Sequence, residues 1–291
     1  MRRMQESDTY LLDRGGTILL GRYRVEELIG AGGMGSVWLA EQLALRQTVV
    51  VKFHETWSRA EDPERALERF VREAKLLAAV RHRNVISLFE VGSNEGEPFL
   101  IMERLHGHAL AWRMRDGRPM PFDESLEIAI EIAKGLEAVH AAGVHHRDVK
   151  PENIFLHRDD GVIVPKLLDF GLAGSAKVSR LTDSGHTVGT PGYMPPEQAY
   201  GLDHIDHRVD LYALGVTLYE MLSGQLPSIG DTNEELVHYV VHHDPIPLSD
   251  HRPDLAGPIE DTIMRVLDRD REVRPADARA LRRQLEDLRE T

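Results

Sequence analysis

What most constrains the fold is a change of pattern near residue 105. Before it the chain reads as short strands with a single helix. After it, helices dominate. Tyr23 to Leu28 alternates, Trp38 to Glu41 is apolar, and Thr48 to Phe53 is a β-branched run. Val85 to Val91 and Glu97 to Met102 flank the turn Asn94-Glu95-Gly96. Between these strands, Pro63 to Val80 carries Leu67, Phe70, Val71, Ala74, Leu77 and Ala78 on one helical stripe. Beyond residue 105, helical patterns cover Ser125 to Ala141, Arg208 to Gly224, Ile259 to Leu267 and Ala276 to Leu288, with one short hairpin at Ile154 to Leu156 and Val164 to Leu168. A strand-rich part followed by a helix-rich part predicts an α+β chain. The expected layout is a polar leader over 1–20, a β-rich part over 21–105, a helical part over 106–285 and a short tail over 286–291.

The chemistry concentrates between Val144 and Phe155, which read V-H-H-R-D-V-K-P-E-N-I-F. Asp148 can accept a proton and Asn153 can hold a metal ion. Both on one short loop suit transfer of a phosphoryl group to a hydroxyl. Six fixed residues at roughly 5% usage each would recur by chance about once in ten million positions, so the run is not an accident of composition. Two further features accompany it. Ile29-Gly30-Ala31-Gly32-Gly33-Met34-Gly35-Ser36-Val37 is a glycine-rich turn between two strands, where backbone could approach a phosphate closely. It is no Walker loop, because no Gly-Lys-Ser/Thr follows and no helix opens from it. Asp169-Phe170-Gly171 follows a strand sixteen residues after Asn153.

In order and spacing these pieces resemble the protein kinases, and most closely the eukaryotic-like Ser/Thr protein kinases of bacteria, over roughly residues 20–285. The resemblance implies a bilobal protein-kinase fold and the following roles. The glycine-rich loop and Lys52 would hold the phosphates of ATP, with Lys52 paired to Glu73. Val37, Val50 and Phe155 would enclose adenine, Met102 would stand as gatekeeper, and Glu103-Arg104-Leu105 would form the hinge. Val50 and Phe155 depart from the usual Ala and Leu, which would narrow the slot. Asp148 would accept the hydroxyl proton, Lys150 would steady the γ-phosphate, and Asn153 and Asp169 would bind Mg²⁺, or Mn²⁺ in its place, with Phe170 as the switch residue beside Asp169.

The stretch from Leu172 to Gln198 holds six Ser or Thr and ends in Pro195-Pro196-Glu197. It resembles an activation segment, with P-P-E where the family has A-P-E. Glu197 would pair with Arg274, and Asp210 would bind the backbone of the H-R-D run. Arg147 would answer a phosphate on Thr182, Ser184 or Thr187, placed by a second copy of the chain, whereas Thr190 would face the active site. Lys150 and Thr190 mark the Ser/Thr class, so protein substrates are expected. A pseudokinase would lack one of Lys52, Asp148 and Asn153, and none is missing. A small-molecule kinase would typically lack the activation segment. A pure interaction module would bind no nucleotide.

Composition limits the rest. A net charge of −13 disfavours nucleic acid and anionic membranes as partners. With no cysteine, thiolate metal sites, thiol nucleophiles and disulfides are excluded, and the chain fits a reducing cytoplasm. No run of about 18 apolar residues is present to span a membrane. The N-terminus lacks the apolar core of a signal peptide. Relatives often continue into a membrane span and sensor, so the chain is expected to be free-standing or one part of a longer receptor kinase.

Overall fold

The computed structural model describes residues 13–32, 35–54, 63–170, 191–201 and 205–289. Two compact units divide the chain. One comprises 1–75 with 88–104, the other 76–87 with 105–291.

The first unit is a six-stranded antiparallel sheet. Its strands are β1 (Ile18–Leu19), β2 (Tyr23–Gly32), β3 (Gly35–Gln42), β4 (Gln47–Phe53), β5 (Leu88–Asn94) and β6 (Glu97–Met102), in the order β1-β2-β3-β4-β6-β5. The period of two sorts β4 cleanly. Val49, Val51 and Phe53 enter a core with Tyr23, Val25, Trp38, Phe99 and Ile101. Val50 and Lys52 therefore share the other face. Leu19 is also in this core, so the sheet begins inside the stretch expected as a leader. Arg14 lies 4.0 Å over the Phe53 ring and pairs with Glu97 at 2.7 Å, tying residues before β1 to the sheet. The helix α1 (Pro63–Ala79) follows β4, with Phe70, Ala74 and Leu77 buried along it.

The glycine-rich run is more regular than its composition suggests. β2 and β3 pair as far as Gly32 opposite Gly35, with Gly30 opposite Val37. Gly33 and Met34 lie outside the described residues. The expected strand from Val85 starts late, at Leu88. Val85 and Ile86 instead bond to Leu167 of the second unit, Val85 through a parallel bridge and the Ile86 N–H at 3.0 Å.

In the second unit, α3 (Phe122–Ala141) and α5 (Arg208–Ser223) form the centre. Fourteen of the sixteen α5 residues are buried, which is why its sequence is apolar on every side. Gly224 ends it in the left-handed conformation, φ 73°. Around them lie α2 (Leu110–Met114), α4 (Pro196–Ala199), α6 (Asn233–His242), α7 (Leu248–His251), α8 (Pro258–Val266) and α9 (Ala278–Asp287). A small antiparallel sheet joins β7 (Gly107–Ala109), β8 (Ile154–Asp159) and β9 (Val162–Leu167). Gly107 is required there. Its φ is 143°, and a Cβ would stand 2.0 Å from the carbonyl oxygen of Leu156. Among the described residues, no helix is long and apolar enough to cross a membrane.

Candidate active site

The loop that carries Asp148 follows α3 through Gly143 and is held by Asp210 of α5. Asp210 is fully buried, and its carboxylate accepts the backbone N–H of His146 at 2.8 Å and of Arg147 at 2.6 Å. His140 donates to the same carboxylate through Nε2 at 2.8 Å. Burial alone would push the Asp210 carboxyl up. The hydrogen bond from His140, the neighbouring histidines and the Arg147 amide outweigh it, so its pKa lies below the ordinary value. Arg147 sits at φ 64°, a conformation that L residues seldom adopt. The two amide bonds to Asp210 are what hold it there.

After Asp148 the chain is anchored again. Val149 is buried at 1% exposure, and Pro151 opens a 3-10 turn, Pro151–Asn153, that bends back on itself. The turn returns Asn153 to Asp148. Asn153 Nδ2 donates to the Asp148 carbonyl at 2.8 Å and to its Oδ2 at 2.7 Å. Lys150 Nζ stands 3.0 Å from Asp148 Oδ1. Both carboxylate oxygens are thereby oriented. The Asn153 amide nitrogen is thus spent on Asp148.

The same loop positions Asp169. The Leu168 N–H donates to the Asn153 carbonyl at 2.8 Å, and His146 Nε2 donates to the Leu168 carbonyl at 2.6 Å. Leu168 is held on both sides, so Asp169 follows at a fixed place, with φ 50°. Two non-glycine residues in the left-handed region, Arg147 and Asp169, mark local strain of about 1–3 kcal/mol each, a feature concentrated at functional sites. His146 is wholly buried, with its ring 4.5 Å from that of Phe170. Burial holds its pKa below the ordinary histidine value. His140 and His146 had no place among the expected site residues. His146 was visible only as the first letter of H-R-D, and His140 carried no signal.

Glu197 and Arg274 form a buried two-pronged ion pair at 2.7 and 2.9 Å, and Arg274 lies 4.9 Å over the Tyr212 ring. The double proline of P-P-E suits its setting, because Pro195 caps and Pro196 opens α4. One further contact was not expected. The Tyr193 hydroxyl donates to Glu220 on α5, whose carboxyl is pushed up by burial and by nearby Glu152.

On the first unit's sheet, cross-strand register places Val37 opposite Lys52, Lys52 opposite Leu100, Leu39 opposite Val50 and Val50 opposite Met102. Directly paired residues share a face. Val37, Val50, Lys52 and Met102 thus lie on one surface of the sheet. Lys52 is buried at 7% exposure and Glu73 is half-buried on α1; both are engaged by neighbouring groups. Gly30 is half-buried and Ile29, Ala31 and Gly32 are exposed, near the hairpin end, while Ser36 is buried. Glu103 and Leu105 flank the point where the two units divide, and Phe155 lies opposite Ala109 in the second unit. Gly171, Thr182, Ser184, Thr187 and Thr190 lie outside the described residues.

The donor set suits a hard divalent cation. Asn153 and Asp169 present only oxygen, the ligand type Mg²⁺ prefers. Among the described residues, no group of three His, Asp or Glu is disposed to hold a metal by itself.

The protein kinase domain family matches residues 23–285. The chain belongs to this family. Among curated relatives, the serine/threonine-protein kinases pkn3 and pkn2 of Myxococcus xanthus are 38% identical over 295 residues and 37% over 271, covering 98% and 91% of this chain. The kinase domain here spans 52% and 32% of their lengths. The crystal structure of the Mycobacterium tuberculosis PknI kinase domain shares the fold, with TM-score 0.74 and 25% identity over 94% of this chain and 98% of that one. The fold is the α+β protein-kinase fold.

Proposed function

We propose that the chain is a protein serine/threonine kinase that moves the γ-phosphoryl group of ATP to Ser or Thr hydroxyls. The observation that carries this is the hydrogen-bonded set Asp148–Lys150–Asn153, tied through His146 and Leu168 to Asp169. Phosphoryl transfer asks a protein for positioning and charge neutralisation, and this set supplies both. Asp148, with its carboxylate oriented by two neighbours, accepts the proton of the incoming hydroxyl. Lys150 stands beside it, placed to follow the charge of the phosphoryl group. Asn153 and Asp169 hold Mg²⁺, which when bound neutralises phosphate charge. Lys52, kept in place by Glu73, orients the α- and β-phosphates, with Gly30, Ala31, Gly32, Gly33, Met34, Gly35 and Ser36 around them. Ile29, Val37, Val50, Met102 and Glu103, all of the first unit, receive the adenosine. The curated relatives named serine/threonine-protein kinases support the acceptor class.

Regulation follows from Arg147, an exposed cation beside the catalytic Asp148. A phosphate on Thr182, Ser184 or Thr187 adds about −1.5 to −2 charge and can dock there. A second copy of the chain supplies it, in the cytoplasm. Mass spectrometry of wild type and Asp148→Asn, each expressed alone, tests this. Phosphate between residues 172 and 196 in wild type only is expected; full activity without it would refute the regulation. For the reaction itself, Asp148→Asn should lower transfer to a protein substrate by about 10²–10⁴-fold while ATP still binds. A variant keeping more than about a tenth of the wild-type turnover would overturn the assignment.

A further inference from the structure

Three imidazoles gather beside Asp210 and take no part in the chemistry above. His140 lies in the last turn of α3, His145 just before the catalytic loop, and His207 at the N-cap of α5. Ring centroids stand 5.8 Å apart for His140 and His145, 5.3 Å for His140 and His207, and 6.3 Å for His145 and His207. All three are half-buried.

Hydrogen bonding assigns the protons. A carboxylate only accepts, so His140 Nε2 carries the hydrogen facing Asp210. His140 Nδ1 is then the lone-pair nitrogen, and it is buried with no hydrogen-bond partner among the described residues. His207 Nε2 likewise donates to the Ala276 carbonyl at 2.8 Å, leaving its Nδ1 basic. The charges facing the group are Asp210 on α5 and Arg147 on the catalytic loop. Flanking charges are already paired: Arg208 with Asp206 and Glu272, and Glu137 with Arg279 and Arg282 of α9. No metal-holding trio exists among the described residues. The ligand such a cluster can take is the proton.

We propose that His140, His145 and His207 form a proton-responsive positioning device that acts through Asp210 on the catalytic loop; this rests on the kinase reading. Protonation within the group sets cations about one ring spacing apart beside the Asp210 carboxylate. They draw on the oxygens that hold the His146 and Arg147 amides, the clamp loosens, and Asp148 loses its placement. The environment delays this step. Burial first, then His140, Arg147 and His207, hold the His145 pKa below the ordinary value despite the pull of Asp210. The device therefore acts under mild acid and titrates as a coupled group rather than as three separate histidines.

The test is kcat/KM of the whole chain between about pH 5.5 and 8.5 for wild type, His145→Asn, His207→Asn and the double variant. Near pH 8 all four should agree within about twofold. On the acid side the wild type should fall first, and the double variant's acid limb should lie about half a pH unit or more lower. Superimposable limbs would overturn the proposal. NMR titration of the histidine ring protons needs neither turnover nor the double variant. Removing His207 should raise the midpoint of His145 in that experiment; midpoints indifferent to the neighbouring substitution would overturn the coupling. Failure of phosphoryl transfer at every pH would sink the kinase reading and leave the titration to decide this one.

Discussion

Replacing Asp210 by Asn removes a charge and one acceptor oxygen without changing shape. In the native protein Oδ2 serves the His146 amide and His140 Nε2, while Oδ1 serves the Arg147 amide. An amide side chain has one oxygen, so its NH₂ group must face a donor. The better orientation keeps Oδ2 as the oxygen and turns NH₂ toward the Arg147 N–H. One charge-assisted bond is then lost, about 1.5–3 kcal/mol, and one buried donor is left unmatched, about 1–3 kcal/mol. The expected loss of stability is about 3 kcal/mol, equivalent to roughly 6–12 °C in Tm for a domain of this size. Function should suffer more than stability suggests. Arg147 is held at φ 64° by the bond that is lost, and Asp148 is the next residue. We expect kcat to fall more than about tenfold, with KM for ATP within about threefold, since Lys52 and the glycine-rich strands belong to the other unit. Denaturant unfolding followed by circular dichroism, and steady-state transfer to a protein substrate, measure the two effects. A variant within about 1 kcal/mol of wild type and with intact kcat would show that Asp210 does not hold the loop.

Other changes test other parts. Gly107→Ala drives a Cβ to 2.0 Å from the Leu156 carbonyl and should cost about 3 kcal/mol or more, read as a lower unfolding midpoint; a neutral result would mean that β7 does not pair with β8 as described. Arg274→Met strands Glu197 as a buried unpaired charge and should cost about 3–5 kcal/mol, whereas the double change Arg274→Met with Glu197→Leu should recover much of it in the same unfolding assay. Stability should also fall in mild acid. His146 and His145 are held below the ordinary histidine pKa by burial, so the unfolded chain takes up protons below about pH 6.5 that the folded chain refuses. This contribution is complete above that pH and is lost through the window beneath it. Unfolding midpoints near pH 7.5 and 5.5 provide the check, and an equal or higher midpoint at the acid end would contradict it.

The chain's own residues carried the expected chemistry and the order of its parts. Asp148 and Asn153 on one short loop could be read as suited to phosphoryl transfer from their side chains alone, whereas Asp169 took its expected role from the resemblance to a family. The period of two in β4 likewise separated Val50 and Lys52 from the core residues Val49, Val51 and Phe53. Glu197, Arg274 and Asp210 could be named from resemblance to a family, but their partners lie 77 and 64 residues away. Only the folded chain brings them within bonding distance. The same holds for what was missed. β1 and β7 are two and three residues long and have no period to read. They exist because Leu19 finds the sheet core and Gly107 fits against Leu156. Val85 and Ile86 have strand composition, yet their backbone bonds go to Leu167, because a partner and not a propensity decides where an edge hydrogen bond is made. The histidines around Asp210 are the sharpest case. In sequence they are ordinary residues at 140, 145 and 207; their proximity and the burial of His140 Nδ1 come from packing α3 against α5.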